Sequence, residues 1–234
     1  MPVAIITGAS KGLGQALAAA LAGRGWDLVL DARSEGPLAS AAEETRRAGV
    51  RVVALPGDVT DPVHRAALVS AARELGGLDL LVNNASALGA EPLVRLADLP
   101  PEGLRTALET NVVAPLGLVR EALPLLRAAD SGAVINVSSD AAVEAYGTWG
   151  GYGASKAALD QLSAVLAEEE PGLRVWAVDP GDLRTDLYAA AVPDDDDLDG
   201  RPLPDAVVPA FLALLDRAAP SGRYVAPELP VAGR

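Results

Sequence analysis

Apolar residues along this chain switch repeatedly between short continuous runs and helical spacing. Pro2-Val3-Ala4-Ile5-Ile6 is a run rich in β-branched residues, which predicts a buried strand. Leu13, Leu17, Ala20 and Leu21 then recur at helical spacing, in a helix expected to run to Gly25. Further strands are predicted at 27–31, 50–55, 78–84, 133–138, 173–178 and 222–226. Helices are predicted at 37–48, 62–75, 101–126, 153–169 and 203–217. Pro115 and Pro124 are expected to bend or end the third of these. The stretch Leu78 to Asn84 is almost continuously apolar, as in a parallel strand covered on both faces. Alternation of this kind predicts an α/β fold, a doubly wound parallel sheet in a three-layer α/β/α arrangement. Without repeats or a domain-sized shift in composition, 1–234 reads as a single domain.

The link between the first strand and first helix is Thr7-Gly8-Ala9-Ser10-Lys11-Gly12-Leu13-Gly14. Gly8 permits a tight turn, Gly12 lets backbone approach a pyrophosphate, and Gly14 lets helix and strand pack closely. The helix start adds free N–H groups and a dipole that favour phosphate. The glycines have three and then one intervening residues, unlike the one-then-two spacing of the common dinucleotide fingerprint. Alone, such a turn also fits an ordinary strand-to-helix connection.

Composition narrows the picture. The 234 residues are half apolar and contain no cysteine, which excludes disulfides and thiolate metal sites and fits a reducing compartment. No signal-peptide pattern opens the chain, and no apolar run reaches the roughly 18 residues of a membrane span, so a cytoplasmic protein is expected. A net charge of −13 argues against a nucleic-acid partner. The run Asp194 to Asp199 reads as a solvated, mobile loop, and no metal site is expected. The chain's only lysines, Lys11 and Lys156, both fall in motifs.

In a doubly wound sheet, ligands bind outside the carboxyl ends of the strands. Polar residues collect there: Gly57-Asp58-Val59, Asn83-Asn84-Ala85-Ser86, Ser138-Ser139-Asp140 and Asp179-Pro180-Gly181-Asp182. The sharpest cluster is Tyr152-Gly153-Ala154-Ser155-Lys156. Tyr152 and Lys156, four apart, share one helix face. A tyrosine hydroxyl is a poor acid–base at neutral pH, and a neighbouring ammonium should lower its pKa toward the working range. A cationic nicotinamide ring would act the same way. Ser139, at a strand end, is placed to hydrogen-bond a substrate oxygen.

Together these residues resemble the short-chain dehydrogenase/reductase family, from the first strand to Thr185. The resemblance rests on Thr7-Gly8-x-x-x-Gly12-x-Gly14, Asn83-Asn84-Ala85, Asn111, Ser139, Tyr152-x-x-x-Lys156 and Pro180-Gly181-x-x-x-Thr185. It implies a single Rossmann-type domain and an NAD(P)-dependent oxidoreductase. It implies Tyr152 as proton donor or acceptor and Ser139 as the group that orients the substrate oxygen. Lys156 would bind the nicotinamide ribose, and Asn111 would hold a water linking Lys156 to solvent. Leu183 and Thr185 would contact carboxamide and phosphates, and Asp58 and Val59 the adenine. Ser10, Lys11, Leu13 and Asn84 complete the expected cofactor set with the three glycines. Ser86 stands where the family usually has glycine, and the region after Thr185 departs in its aspartate run.

An acid at the end of the second strand would favour NAD, and a base NADP. Asp31 is tempting, but the family's discriminating position lies eighteen residues after Gly14, at Ala32. Arg33 follows it, where NADP-preferring members carry a base, and Lys11 adds a second positive charge. NADP is therefore expected over NAD. The expected activity is that of an NADPH-linked carbonyl reductase or alcohol dehydrogenase acting on a small-molecule ketone or secondary alcohol. The rival is a catalytically silent NADP-binding sensor or scaffold. A homodimer or homotetramer is expected through Ala154, Ala157, Ala158 and Leu162. His64 reads as a surface residue, and Tyr146, Trp149 and Tyr188 as pocket walls or ordinary packing.

Overall fold

A computed structural model describes residues 1–230; the last four residues of the expected domain lie outside them. Seven strands form one sheet: β1 (Val3–Ile6), β2 (Asp27–Ala32), β3 (Val52–Pro56), β4 (Leu80–Asn83), β5 (Ala133–Val137), β6 (Arg174–Asp179) and β7 (Gly222–Val225). Their order is β3-β2-β1-β4-β5-β6-β7, and every pairing is parallel. The chain builds outward from β1 to β3, then returns to add β4 on the other side of β1. This reversal opens a crevice between the carboxyl ends of β1 and β4.

Helices cover both faces. They are α1 (Gly12–Ala22), α2 (Glu35–Arg46), α3 (Pro62–Leu75), α4 (Pro101–Leu108), α5 (Ala114–Ala128), α6 (Gly150–Glu169), α7 (Asp186–Ala191) and α8 (Val208–Asp216). Successive strand residues point to opposite faces. Ile6, Leu28, Leu30 and Trp176 therefore pack with Leu17, Leu21 and Phe211 on one side. Ile5, Val29, Leu81 and Val134 pack with Leu68 and Leu118 on the other. Each such buried side chain contributes roughly 1.5–3 kcal/mol.

Strand boundaries move by one or two residues from the expected ones, and three larger differences have physical causes. The predicted 101–126 helix is interrupted at Glu109–Val113 by a π-helical turn, in which Ala114 N–H reaches back to Glu109 O. Pro115, two residues past the end of that turn, lacks the N–H that would bond back to Asn111, so it sits at the break as expected, whereas Pro124 lies inside α5 and does not end it. Pro204 starts a separate 3₁₀ turn, so the last helix begins only at Val208. Finally α7, absent from the expectation, is started by Thr185, whose Oγ1 accepts from Tyr188 N at 3.2 Å.

Candidate active site

The glycine-rich turn is held from below. Gly8 and Gly12 have φ of 65° and 58°, which suits glycine alone. A Cβ on Gly14 would sit 2.4 Å from Gly8 O and 2.6 Å from Asn84 Nδ2. Asn84 Nδ2 donates to Thr7 O at 2.8 Å and Gly8 O at 3.1 Å, so Asn84 clamps the turn. A Cβ on Gly12 would meet only Thr185, whose Cγ2 would lie 3.5 Å from it, so this part of the turn is uncrowded. No side chain caps the start of α1. Its first N–H groups are therefore available to an anion, and the cradle fits a dinucleotide diphosphate.

A cleft of about 800 Å³ runs from this turn across the sheet edge. Gly8, Ser10, Lys11, Gly12, Leu13, Arg33, Asp58, Val59, Asn84, Ser139, Tyr152, Lys156, Leu183 and Thr185 all line it. The expected cofactor and catalytic residues thus meet in one cavity, with two exceptions. Gly14 is packed behind the turn, as its crowding requires. Asn111 is buried away from the cleft. Its amide donates to Ala87 O and Ser155 Oγ, both at 2.8 Å, and accepts from Ala87 N at 2.8 Å and Ser86 Oγ at 3.1 Å. With those bonds made, the side chain anchors the loop after β4 to α6.

At the turn end, Asp31 is buried and turned under the glycine loop, where Gly8 N–H also meets it. His64 Nε2 lies 2.6 Å from Asp31 Oδ1. His64 is thus no free surface residue, contrary to expectation: its side chain is 10% exposed, and its ring packs so closely on Gly57 that a Cβ there would meet Nδ1 at 2.3 Å. Burial pushes the Asp31 carboxyl up, and the Asp31 bond pushes the His64 imidazole up. Arg33 points out of β2 into the cleft mouth, exposed, with no ion pair among the described residues. Lys11 Nζ pairs with Asp186 Oδ2 at 2.6 Å, both exposed.

At the other end, Tyr152 and Lys156 are buried on α6. Lys156 Nζ lies 5.4 Å from the Tyr152 ring centroid and donates to Val137 O at 2.8 Å. The hydroxyls of Ser86 and Ser139 face that of Tyr152 and favour the phenolate. Here the expectation about acidity needs correcting. Burial pushes the Tyr152 phenol up, with Asp179 and Asp140 acting in the same direction, so the cleft as it stands holds the neutral phenol. Burial also pushes the Lys156 ammonium down to about 8, with Asp160 opposing.

Trp149 stacks edge-on against Tyr152 with centroids 5.6 Å apart and lines the cleft, as does Tyr188; Tyr146 is exposed and does not line it. In the aspartate run, Asp194, Asp196, Asp197 and Asp199 are exposed, as expected of a solvated loop, and Asp195 is held by Arg201. Arg201 meets Asp195 at 2.6 Å and Asp182 at 2.7 Å, and lies over the Tyr188 ring at 4.2 Å. Ser86 and Asp179 belong to the polar strand ends that the sequence marked, without the roles seen here; Arg201 escaped sequence reading altogether.

Comparison with known proteins supplies the family. The short chain dehydrogenase model matches residues 2–196. The chain belongs to that family. It is 37% identical over 198 residues to the sepiapterin reductase of Xenopus laevis, covering 80% of this chain and 75% of that one. It is 38% identical over 190 residues to the cis-4-hydroxycyclohexanecarboxylate dehydrogenase of Sinomonas cyclohexanicum, covering 80% and 75%. It also spans 15% of the length of the glycine betaine reductase of Emericella nidulans. Among solved structures, a short-chain dehydrogenase from Shigella flexneri 2a strain 301 complexed with NADP superposes with a TM-score of 0.90 at 27% identity, over 97% of both chains.

Proposed function

We propose that this oxidoreductase is an NADP(H)-dependent carbonyl reductase or alcohol dehydrogenase acting on a small-molecule ketone or secondary alcohol. The observation that carries the reading is the meeting of Ser139, Tyr152 and Lys156 at the closed end of the cleft whose other end holds the glycine turn and Arg33. Bound NADPH would supply the hydride. Gly8, Ser10, Gly12 and the first turn of α1 would hold its diphosphate, and Arg33 its 2′-phosphate. Lys11 contributes only by exchanging Asp186 for phosphate. The NADP bound by the Shigella relative agrees with this choice.

Ser139 Oγ donates to the substrate oxygen and fixes its direction. In the free cleft that hydroxyl donates to Asp140 Oδ1 at 3.0 Å, so substrate has only to replace a neighbouring acceptor. The Tyr152 hydroxyl gives its proton to the same oxygen as charge develops there. Because burial and Asp179 keep the phenol protonated, Tyr152 is set as an acid, which suits reduction. The Lys156 ammonium stabilises the phenolate left behind. Asn111 positions this group by fixing the Ser86 loop against Ser155. Self-association is proposed through the outer face of the π turn, α5 and α6, where Val113, Leu116, Ala154, Ala157 and Val165 are exposed. The cytoplasm is the proposed location, on the absence of cysteine.

The test is loss of NADPH absorbance with a panel of aldehydes and ketones, repeated with NADH. Turnover with NADPH at least about tenfold more efficient than with NADH is expected. Tight NADPH binding with no turnover across the panel would overturn the enzyme reading in favour of a binding protein.

A further inference from the structure

Arg223 stands on β7, behind the cleft and outside its lining. Its guanidinium ties together three separate segments. Nε donates to Asp160 Oδ2 at 3.0 Å, and Nη2 donates to the backbone carbonyl of Ser139 at 3.0 Å and to Asp179 Oδ2 at 3.3 Å. Asp179 Oδ1 in turn accepts from Gly181 N at 2.9 Å, in the turn that follows β6. Asp160 lies one helical turn beyond Lys156 on α6. Its Oδ1 is buried and has no partner among the described residues, so Arg223 is the sole donor seen on that carboxylate. A planar guanidinium can serve three acceptors at fixed angles, which an ammonium cannot.

We propose that Arg223 is a positioning residue for the candidate catalytic group: its fork fixes the Ser139 carbonyl and the Asp179–Gly181 turn, and its charge offsets Asp160 in the field felt by Lys156. The proposal rests on the reading of Ser139, Tyr152 and Lys156 as that group. The charges packed around Lys156 and Tyr152 are Asp160 on α6, Asp179 at the end of β6, Asp140 after β5, Asp182 on the cleft wall and Arg223 on β7. Removing the arginine leaves Asp160 and Asp179 unopposed. Lys156 then holds its proton to higher pH, and so does Tyr152. Removing Asp160 while keeping Arg223 acts in the opposite sense on Lys156. A merely structural role would give no such reversal.

The experiment uses the chain's having only two lysines, Lys11 and Lys156. Protein labelled with ¹³C-lysine gives one signal from each, and a Lys11→Arg variant assigns them. Following both through a pH titration, Arg223→Met should raise the Lys156 midpoint by about one pH unit and Asp160→Asn should lower it by a similar amount. Arg223→Lys adds a third signal, assigned as the one absent from the parent; it keeps charge but loses the fork, and should leave the Lys156 midpoint near that of the parent. Lys11 should not move in any variant. In turnover, Arg223→Lys should lower kcat about tenfold with the KM for NADPH unchanged. A Lys156 midpoint unmoved in Arg223→Met and Asp160→Asn, or moved in the same direction by both, overturns the proposal. Should Arg223→Met fail to fold, Asp160→Asn and Arg223→Lys decide it alone. The NMR readout needs no turnover, so its failure is separable from failure of the catalytic reading.

Discussion

At the glycine-turn end of the cleft, the geometry is made by backbone: two positive-φ glycines, a third too crowded for a side chain, and the free N–H groups of α1. At the tyrosine end it is made by buried side chains that hold one another, from Asn111 and Ser86 in front to Asp160, Asp179 and Arg223 behind. The first arrangement recognises a charge pattern common to many ligands. The second tunes protons for one reaction, and in a low-dielectric interior each charge there counts for more. Damage to the first end should therefore appear in binding, and damage to the second in the chemical step.

The sharpest way to break this division is Tyr152→Phe. It should lower kcat by about 10²–10⁴-fold while the NADPH dissociation constant, read by fluorescence titration, changes less than about twofold. A large loss of NADPH affinity would erase the distinction between the two ends. The complementary change, Arg33→Ala, should weaken NADPH by about 10–100-fold and leave NADH within about threefold. Equal losses for both would remove Arg33 from the specificity role.

His64 sharpens the same contrast through stability. Its folded-state pKa is raised, chiefly by the Asp31 bond, so its contribution is full below its unfolded value of about 6.5 and is lost as pH rises through the folded value. Asp31, raised by burial, starts to lose stability once pH passes its unfolded value of about 3.9, so the change across neutral pH is that of His64. The melting temperature should thus fall from pH 6 to pH 8, and His64→Gln should flatten that fall (both pH values being about half a unit or more from the imidazole's usual range centre). A parent melting temperature that rises over this interval would contradict the pairing. The smallest effect is expected from Lys11→Ala. Its ion pair with Asp186 is exposed, and the NADPH dissociation constant should rise by no more than about threefold. A larger loss would mean that Lys11 leaves Asp186 for the cofactor.

Much of the turn end was legible because its requirements are local. Thr7 to Gly14 carries its conformation in consecutive residues, and α3 could be delimited at Pro62–Leu75 because Asp61 caps it, Pro62 opens it and Gly76 closes it. Tyr152 and Lys156 were legible for the same reason, being neighbours on one helix face. Arg223 was not, since its partners lie 44, 63 and 84 residues away along the chain. The side-chain partner that occupies the Asp31 carboxylate is likewise 33 residues distant, so only its offset from the expected position hinted that it was not the discriminating acid.

From the amino-acid order alone came the alternation of strand and helix, the glycine turn, and the identities of the groups at the strand ends. Those follow from periodicity and steric rules that act over a few residues. Strand order, the π turn that buries Asn111, the raised phenol of Tyr152 and the charges behind Lys156 were decided only when distant segments packed together. Acidity depends on what surrounds a group in space, and burial at this site outweighs the single neighbouring cation that the spacing reveals.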